Sequence, residues 1–275
     1  MNEQTTLLAP LQPRARGQIR ASLDVADGKT RLATLRQAGS SRALFPRIES
    51  RYLQMVLTNT SGGVTGGDRF RTDVTLLPDA QVSLTTQAAE RAYRAQPGQI
   101  GSVETVLRVG QGGRLSWLPQ ETILFDGCAF KRRLTLEFDA RAEALIVEPL
   151  VFGRTAMGER LSHGFVDDRI EVISDGQTVF LDRTKLSGDI ARLLDRQAVA
   201  ASGGATALLV FASPRAELYL ESLRDLLPPA GGASLKAPEL LVARLVATDG
   251  YDLRRSLIPI IEHLHDDVIP RPWTI

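Results

Sequence analysis

The chain has 275 residues, 43% apolar and 24% charged, the proportions of a globular protein long enough to bury a large core, which excludes a disordered polypeptide. Its 33 basic and 32 acidic side chains leave a net charge of +1, so no global field directs it to nucleic acid or to an anionic membrane. The single cysteine, Cys128, rules out an internal disulfide and a multi-cysteine zinc site, and points to a reducing, cytoplasmic setting.

Residues 1–16 hold Pro10 and Pro13 without a continuous apolar core. They read as a flexible segment rather than a signal peptide, ahead of a single domain over 17–275. Ile19, Ala21, Leu23 and Val25 alternate, Asp27-Gly28 signals a tight turn, and Thr30 to Leu35 resumes the pattern, which predicts a hairpin. Further strands are expected at Tyr52–Thr58, Phe70–Leu77, Gln81–Thr86, Ser102–Val109, Arg114–Leu118, Ala129–Phe138, Ala144–Val151, Arg169–Ile173 and Gln177–Leu181. Turn signals at Pro78-Asp79, Gly110 to Gly113, Asp126-Gly127 and Asp175-Gly176 separate them. Many short strands so spaced over 17–182 argue for a β-sandwich, a barrel or a solenoid-like architecture. The basic run Lys131, Arg132 and Arg133 reads as a solvated strand edge.

Over 183–275 the pattern is mixed. Leu186 to Ala198 carries Leu186, Ile190, Leu193 and Leu194 and suits a helix. Thr206–Phe211 is a strand; Ala205 to Ala212 is the longest apolar run and far too short for a bilayer. Pro214 opens a helix to Leu227, ended by Pro228-Pro229 and Gly231-Gly232. Leu240–Ala247 is a strand, and Asp249 or Asp252 caps a last helix to about His265 that Pro259 should kink or interrupt. Arg271-Pro272-Trp273 reads as an extended tail.

Four stretches stand out. Asn59 to Asp68 packs four glycines around Val64 and Thr65, but Asp68-Arg69 follows where a phosphate loop needs Lys-Ser/Thr, and no GxGxxG precedes a helix. A tight turn with Asp68 capping backbone amides explains it equally well. Thr85 to Arg94 joins a strand to a polar segment including Gln87 and Glu90. Trp117 to Phe125 puts Glu121, Ile123 and Phe125 on one face, where a carboxylate must be paired or face a cavity. Glu148 to Glu159 offers an Arg154–Glu159 ion pair across a glycine-bounded turn. Metal chemistry of the histidine or cysteine kind is unpromising: there are three histidines and one cysteine, His163 stands alone, and His263 and His265 point to different helix faces. No GxSxG elbow or HExxH helix exists. Oxygen ligands remain, among them Asp68, Glu90, Glu121, Glu148, Glu159 and Asp182.

In this order the segments Ser61 to Asp68, Thr85 to Ala89 with Tyr93-Arg94, Trp117 to Phe125 and Gly153 to Glu159 resemble the UreD (UreH) family of urease accessory proteins. Asp27 to Leu32 and Pro270 to Trp273 fit as well, though Arg91 stands where the family pattern has Lys and Pro272 interrupts the usual ending. The resemblance implies a mainly β fold, a stacked, helical, solenoid-like arrangement of many short strands with a few helices in the C-terminal part. It implies a scaffold, not an enzyme, whose partners are UreF-like and UreG-like accessory proteins and the urease structural subunits, and it allows a dimer within the accessory complex. Nickel insertion into apo-urease would be powered by the GTPase partner. No cofactor would be held stably, and Ni²⁺ would pass transiently. Asp68, Glu121 and Glu159, with Thr86, Gln87 and Glu148, are the candidates for lining or gating a wet passage, and Arg94 and Arg154 for holding the carboxylates. The rival expectation is a small-molecule hydrolase or transferase using the glycine-rich loop and the carboxylates.

Overall fold

The alternation from Gly17 onward becomes a long hairpin in which β1 (Arg16–Ala26) and β2 (Lys29–Gly39) are joined by Asp27 and Gly28, at φ of 52° and 72°, the left-handed conformation a two-residue turn between twisted strands needs. The computed structural model describes residues 12–139 and 141–274. After β3 (Ser41–Leu44) and β4 (Leu53–Asn59), which pair antiparallel, the chain winds into coils. Successive turns are β5 (Arg69–Leu76), β6 (Gln81–Thr86) and β7 (Glu90–Ala92), then β8 (Gly101–Val109), β9 (Arg114–Leu118) and β10 (Thr122–Leu124), then β11 (Ala129–Phe138) and β12 (Glu143–Arg154). β13 (Glu159–Arg160), β14 (His163–Ser174) and β15 (Gln177–Asp189) follow, then a one-turn helix α1 (Ile190–Leu194), β16 (Ala205–Ala212), α2 (Leu220–Leu226), β17 (Gly231–Ala237), β18 (Leu240–Ala247) and α3 (Gly250–His265).

Stacking of the coils gives two large sheets and a short third side. In the first sheet β1, β5, β8, β11 and β14 run parallel, with β2 and β15 as antiparallel edges. In the second, β4, β6, β9 and β12 are parallel and β16, β18 and β17 extend it antiparallel. The third side is the ladder β7–β10–β12, with Glu90, Thr122 and Leu150 on one rung. The expected mainly β, solenoid-like stack with helices towards the C-terminus is the architecture found. Coil corners use the predicted turns: Asp79 N–H donates to Gln111 O at 3.0 Å, and Gly112, at φ 71°, lies so close to Asp79 that a Cβ would meet its carboxylate.

Between the two sheets Ile19, Leu23, Leu76, Leu84, Leu107, Leu115 and Leu136 form one dry core, each fully buried side chain worth roughly 1.5–3 kcal/mol over exposure. A second core lies on the far face of the second sheet. There α3, capped by the Asp249 side chain accepting from Asp252 N–H at 2.9 Å, packs Leu253, Leu257, Ile260, Ile261 and Leu264 onto Leu145, Leu209 and Phe211. The apolar stripe of α3 thus serves its own sheet.

Several local expectations change. The helix expected over 186–198 is only Ile190–Leu194, because β15 pairs with β14 as far as Asp189 and places Leu186 opposite Val166; Leu186 and Ile190 fit either period, and the ladder decided. Gly231-Gly232, read as a break, open the edge strand β17, and Ser41–Leu44 is a strand without a sequence signal of its own. The helix after Pro214 starts as a 3₁₀ turn at Ala216. Pro259 lies inside a helix assigned without interruption. Arg271–Trp273 is a 3₁₀ turn rather than an extended tail, with Trp273 buried and its Nε1–H donating to Leu118 O at 2.9 Å. Lys131, Arg132 and Arg133 lie on the inner strand β11, not on an edge, and strand alternation turns Arg132 into the interior.

Candidate functional site

Where the second sheet turns into the short third side, β6 leads to β7 through Gln87–Ala89 and β9 leads to β10 through Pro119–Glu121. Beside them Val147–Pro149 of β12 lies between its pairing with β9 and its pairing with β10. These corners stack. The side chains the sequence places there are polar and short, so they leave a cavity of about 200 Å³ between the corners and the inner face of the first sheet. Water occupies about 30 Å³ per molecule in the liquid, so the space holds several.

The lining mixes apolar walls, among them Ile19, Leu57, Phe70, Val103 and Phe130, with a set of oxygen-bearing side chains. Thr72 and Thr105 come from one rung of the first sheet, Thr86, Gln87 and Gln120 from the corners, and Glu90 and Glu148 supply carboxylates; no histidine or cysteine reaches it. Gln120 is buried, and its Nε2 has no partner among the described residues while its Oε1 accepts from Arg254. A buried amide donor facing a polar cavity calls for water or another acceptor. Glu90 accepts from Asn59 Nδ2 at 3.1 Å and from Arg91 N–H at 3.0 Å, and burial pushes its pKa above the ordinary carboxyl value.

Arg132 spans the cavity wall. Its Nη1 lies 2.5 Å from Glu148 Oε2 on β12, and its Nε and Nη2 donate to the two oxygens of Asp168 at 2.8 and 2.6 Å. Trp117 Nε1–H donates to Glu148 Oε1 at 2.7 Å. All three charged side chains are buried, so one guanidinium faces two carboxylates. Burial opposes the charge on Arg132, yet Asp168 and Glu148 together raise its pKa and keep it protonated. Burial raises the Glu148 pKa, with the Arg132 charge opposing and Asp168 adding to the rise. The cluster therefore carries net negative charge at neutral pH unless a carboxyl holds a proton, and this charge borders the cavity.

Of the sequence candidates, the structure brings Thr86, Gln87 and Glu148 together in this lining. Asp68, Glu121 and Glu159 stand outside it, each occupied elsewhere. Asp68 caps a turn, accepting from Ala15 N–H at 2.7 Å and Thr65 N–H at 2.8 Å. Glu121 is gripped by Arg254, Nε at 3.0 Å and Nη2 at 2.9 Å, and Arg254 Nη1 also donates to Pro272 O at 3.0 Å, so this pair fastens α3 and the C-terminal turn to the β9–β10 corner. Glu159 accepts from Arg154 at 2.5 Å and from Asp126 N–H at 3.2 Å, and the Arg154 bond holds its carboxyl below the usual range. Arg154 stacks over Phe125 at 4.3 Å, and Arg94 pairs with Asp126 at 3.1 Å rather than with a candidate carboxylate.

The glycine-rich turn is consumed by its own structure. Val64 N–H donates to Arg91 O, Gly67 N–H to Ile100 O and Asp68 N–H to Thr65 O, and a Cβ on Gly63 would strike the Tyr93 ring. The turn therefore presents no row of free amides for a phosphate. Cys128 is buried, and burial pushes its thiol pKa up to about 12, which makes it inert as a nucleophile. His265 is buried against Ser116, at 2.8 Å, and His263 lies 2.8 Å from Ser222. Among the described residues no three His, Cys, Asp or Glu side chains converge as a metal-holding group.

A family model described as UreD urease accessory protein matches residues 15–274. The chain belongs to the UreD family of urease accessory proteins. It is 49% identical over 244 residues to the urease accessory protein UreD of Ruegeria pomeroyi, covering 89% of this chain and 95% of that protein. It is 46% identical to the UreD of Roseobacter denitrificans, with 96% of each chain covered, and 44% identical to that of Mesorhizobium japonicum, with 99% of each covered. Among the described residues of this UreD-family chain, no helix is long and apolar enough to cross a membrane. Sequence reasoning named Glu90 among the oxygen ligands and Trp117 only as a member of a motif, misplaced Arg132 and passed over Asp168. The parity of Arg132 with Phe130, Leu134 and Leu136 was the signal that it faces inward.

Proposed function

We propose that this UreD-family chain is the docking subunit that holds UreF-like and UreG-like accessory proteins on apo-urease, and that the cavity at its coil corners is a segment of the route by which Ni²⁺ reaches the urease active site. The observation that carries the reading is the chemistry of the lining: carboxylate, amide and hydroxyl oxygens around a water-sized space, beside a buried cluster with one guanidinium and two carboxylates. Ni²⁺ binds imidazole and thiolate sites too tightly to move on, whereas oxygen ligands and water let it exchange. A carboxylate that stays ionised beside this space attracts a cation without a full ligand set to trap it. Nothing in the glycine turn or the carboxylates favours the hydrolase or transferase reading.

The test co-expresses variants with urease and its accessory proteins and measures nickel per urease active site. Glu90→Gln removes a lining charge, and Thr72→Phe fills the cavity. Either variant, if it folds and still assembles on apo-urease, should lower nickel content severalfold; normal loading by both would remove the passage. Asp68→Ala, Glu121→Ala and Glu159→Ala test the remaining candidates. Acting as transient nickel ligands they lower loading in assembled complexes, and acting as a frame they lower thermal stability first.

A further inference from the structure

The outward face of the first sheet is not evenly charged. Its parallel strands place side chains on common rungs about 4.8 Å apart across the strands. The first outward rung carries Arg16, Arg69, Lys131 and Lys185 with Ser102 and Asp167. The second carries Arg71, Arg133, Arg169 and Arg183 with Gln18 and Glu104. Farther along the same strands the charges balance: Arg20 neighbours Asp73, and Arg108 pairs with Glu137 at 2.9 Å. Within the basic rungs Arg71 is paired with Asp73 and Glu104, Arg169 with Glu171 and Arg183 with Asp167. Among the described residues Arg16, Arg69, Lys131, Arg133 and Lys185 have no carboxylate at ion-pair distance. The small side chain at Ser102 lies in a shallow open depression between the cations, and Phe70 and Val103 border both this depression and the inner cavity. In a chain of net charge +1 such a stripe is a local concentration, and unpaired like charges at this spacing repel one another unless an opposite charge covers them.

We propose that this stripe, centred on Arg69, Lys131 and Arg133, is an electrostatic docking surface for an acidic face of the urease apoprotein. The inference rests on the docking role proposed above and assigns it a place. The shape of the stripe selects among the partners of that reading. A partner that docks through an amphipathic helix needs an apolar groove for its hydrophobic stripe, and this face offers a broad, charged sheet surface without one. Such a surface suits a large folded partner that meets it through complementary charge, which sets encounter rate and register. Glu104 and Asp167 within the stripe disfavour a uniform polyanion such as nucleic acid and fit a protein surface of mixed charge. Docking there places the partner one side-chain layer from the cavity, across Phe70 and Val103.

The test is a titration of the full chain, wild type and Lys131→Glu/Arg69→Glu, against purified apo-urease at low and high salt. The UreF-like accessory protein, a mixed-sequence DNA duplex and self-association are measured in parallel, and circular dichroism melting checks folding. The expected result is a wild-type affinity that falls steeply with salt, and a folded variant that loses at least about tenfold in apo-urease affinity at low salt while keeping its affinity for the accessory protein. A conservative Lys131→Arg chain should bind apo-urease as wild type does. Unchanged apo-urease binding by the folded charge-reversed chain would overturn the assignment, as would a loss confined to the accessory protein, to DNA or to self-association. If the double variant unfolds, Lys185→Glu alone, at the exposed edge strand, is read in the same way. Wild type that fails to bind apo-urease under any salt condition would strike instead at the docking role itself.

Discussion

The solenoid interior changes character along its own strands. At one end of the first sheet the inward rungs read Ala21–Val74–Leu107–Leu136–Val172 and Leu23–Leu76–Val109–Phe138. At the other end the same strands present Phe70–Val103–Arg132–Asp168 and Ile19–Thr72–Thr105–Leu134. The backbone ladder is continuous through both, so the difference is carried by side chains alone. At the dry end these side chains are buried together in one apolar core. The wet end has hydroxyls and a buried charge cluster where leucines would close the space. Parallel stacking makes this possible, because ladder hydrogen bonds are satisfied whatever points inward. One half can stabilise the coil while the other keeps a cavity.

The contrast breaks most visibly at Arg132. Arg132→Met leaves Glu148 and Asp168 buried without their shared cation and should cost about 3–5 kcal/mol in denaturant unfolding, whereas adding Glu148→Leu and Asp168→Leu should recover most of it. A triple variant as unstable as the single one would mean that the cluster is not the strained element. At the dry end Leu107→Ala should cost about 2–5 kcal/mol by the same measurement, since its neighbours on the rung are held by the ladder and relax little. At the wet end Thr105→Val, in the lining, should change stability by about 1 kcal/mol or less, because its side chain borders the cavity rather than a close-packed core. Equal costs at Leu107 and Thr105 would erase the distinction between the two ends.

The smallest effect is in pH. Burial raises the Glu90 pKa above its ordinary value of 4.5, so the folded chain holds that proton more tightly than the unfolded one. The resulting stabilisation is complete below the unfolded pKa and disappears as pH rises through the folded pKa. Unfolding free energies measured from acid to neutral pH should therefore decline less steeply in Glu90→Gln than in wild type. Parallel slopes would show that Glu90 is not titrating in a desolvated wall.

Much of the fold could be read locally. Period-two alternation from Gly17 to Leu181 marked most of the coil strands, and Asp27-Gly28, Pro78-Asp79 and Gly110 to Gly113 marked their turns, because a strand with one face inward and one outward writes its orientation into neighbouring residues. Half of the candidate site was legible for a related reason. Thr86 and Gln87 are polar residues at a strand end, where side chains face a corner, and Glu148 is a lone charge within the apolar run of β12. Asp68, Glu121 and Glu159 looked alike in sequence, yet they cap a turn, clamp Arg254 and pair with Arg154.

By itself, then, the sequence determined the coil period, the turn positions and the family, since each is stored in contiguous residues or in an ordered set of short motifs. Only the tertiary structure decided that Arg132, Glu148 and Asp168 share one buried cluster, that Leu186 lies in a strand and that Trp273 returns to Leu118. The physical reason is separation along the chain. These partners meet across coils or across the whole solenoid, and interstrand register, a property of the assembled sheet, sets which side chains face one another.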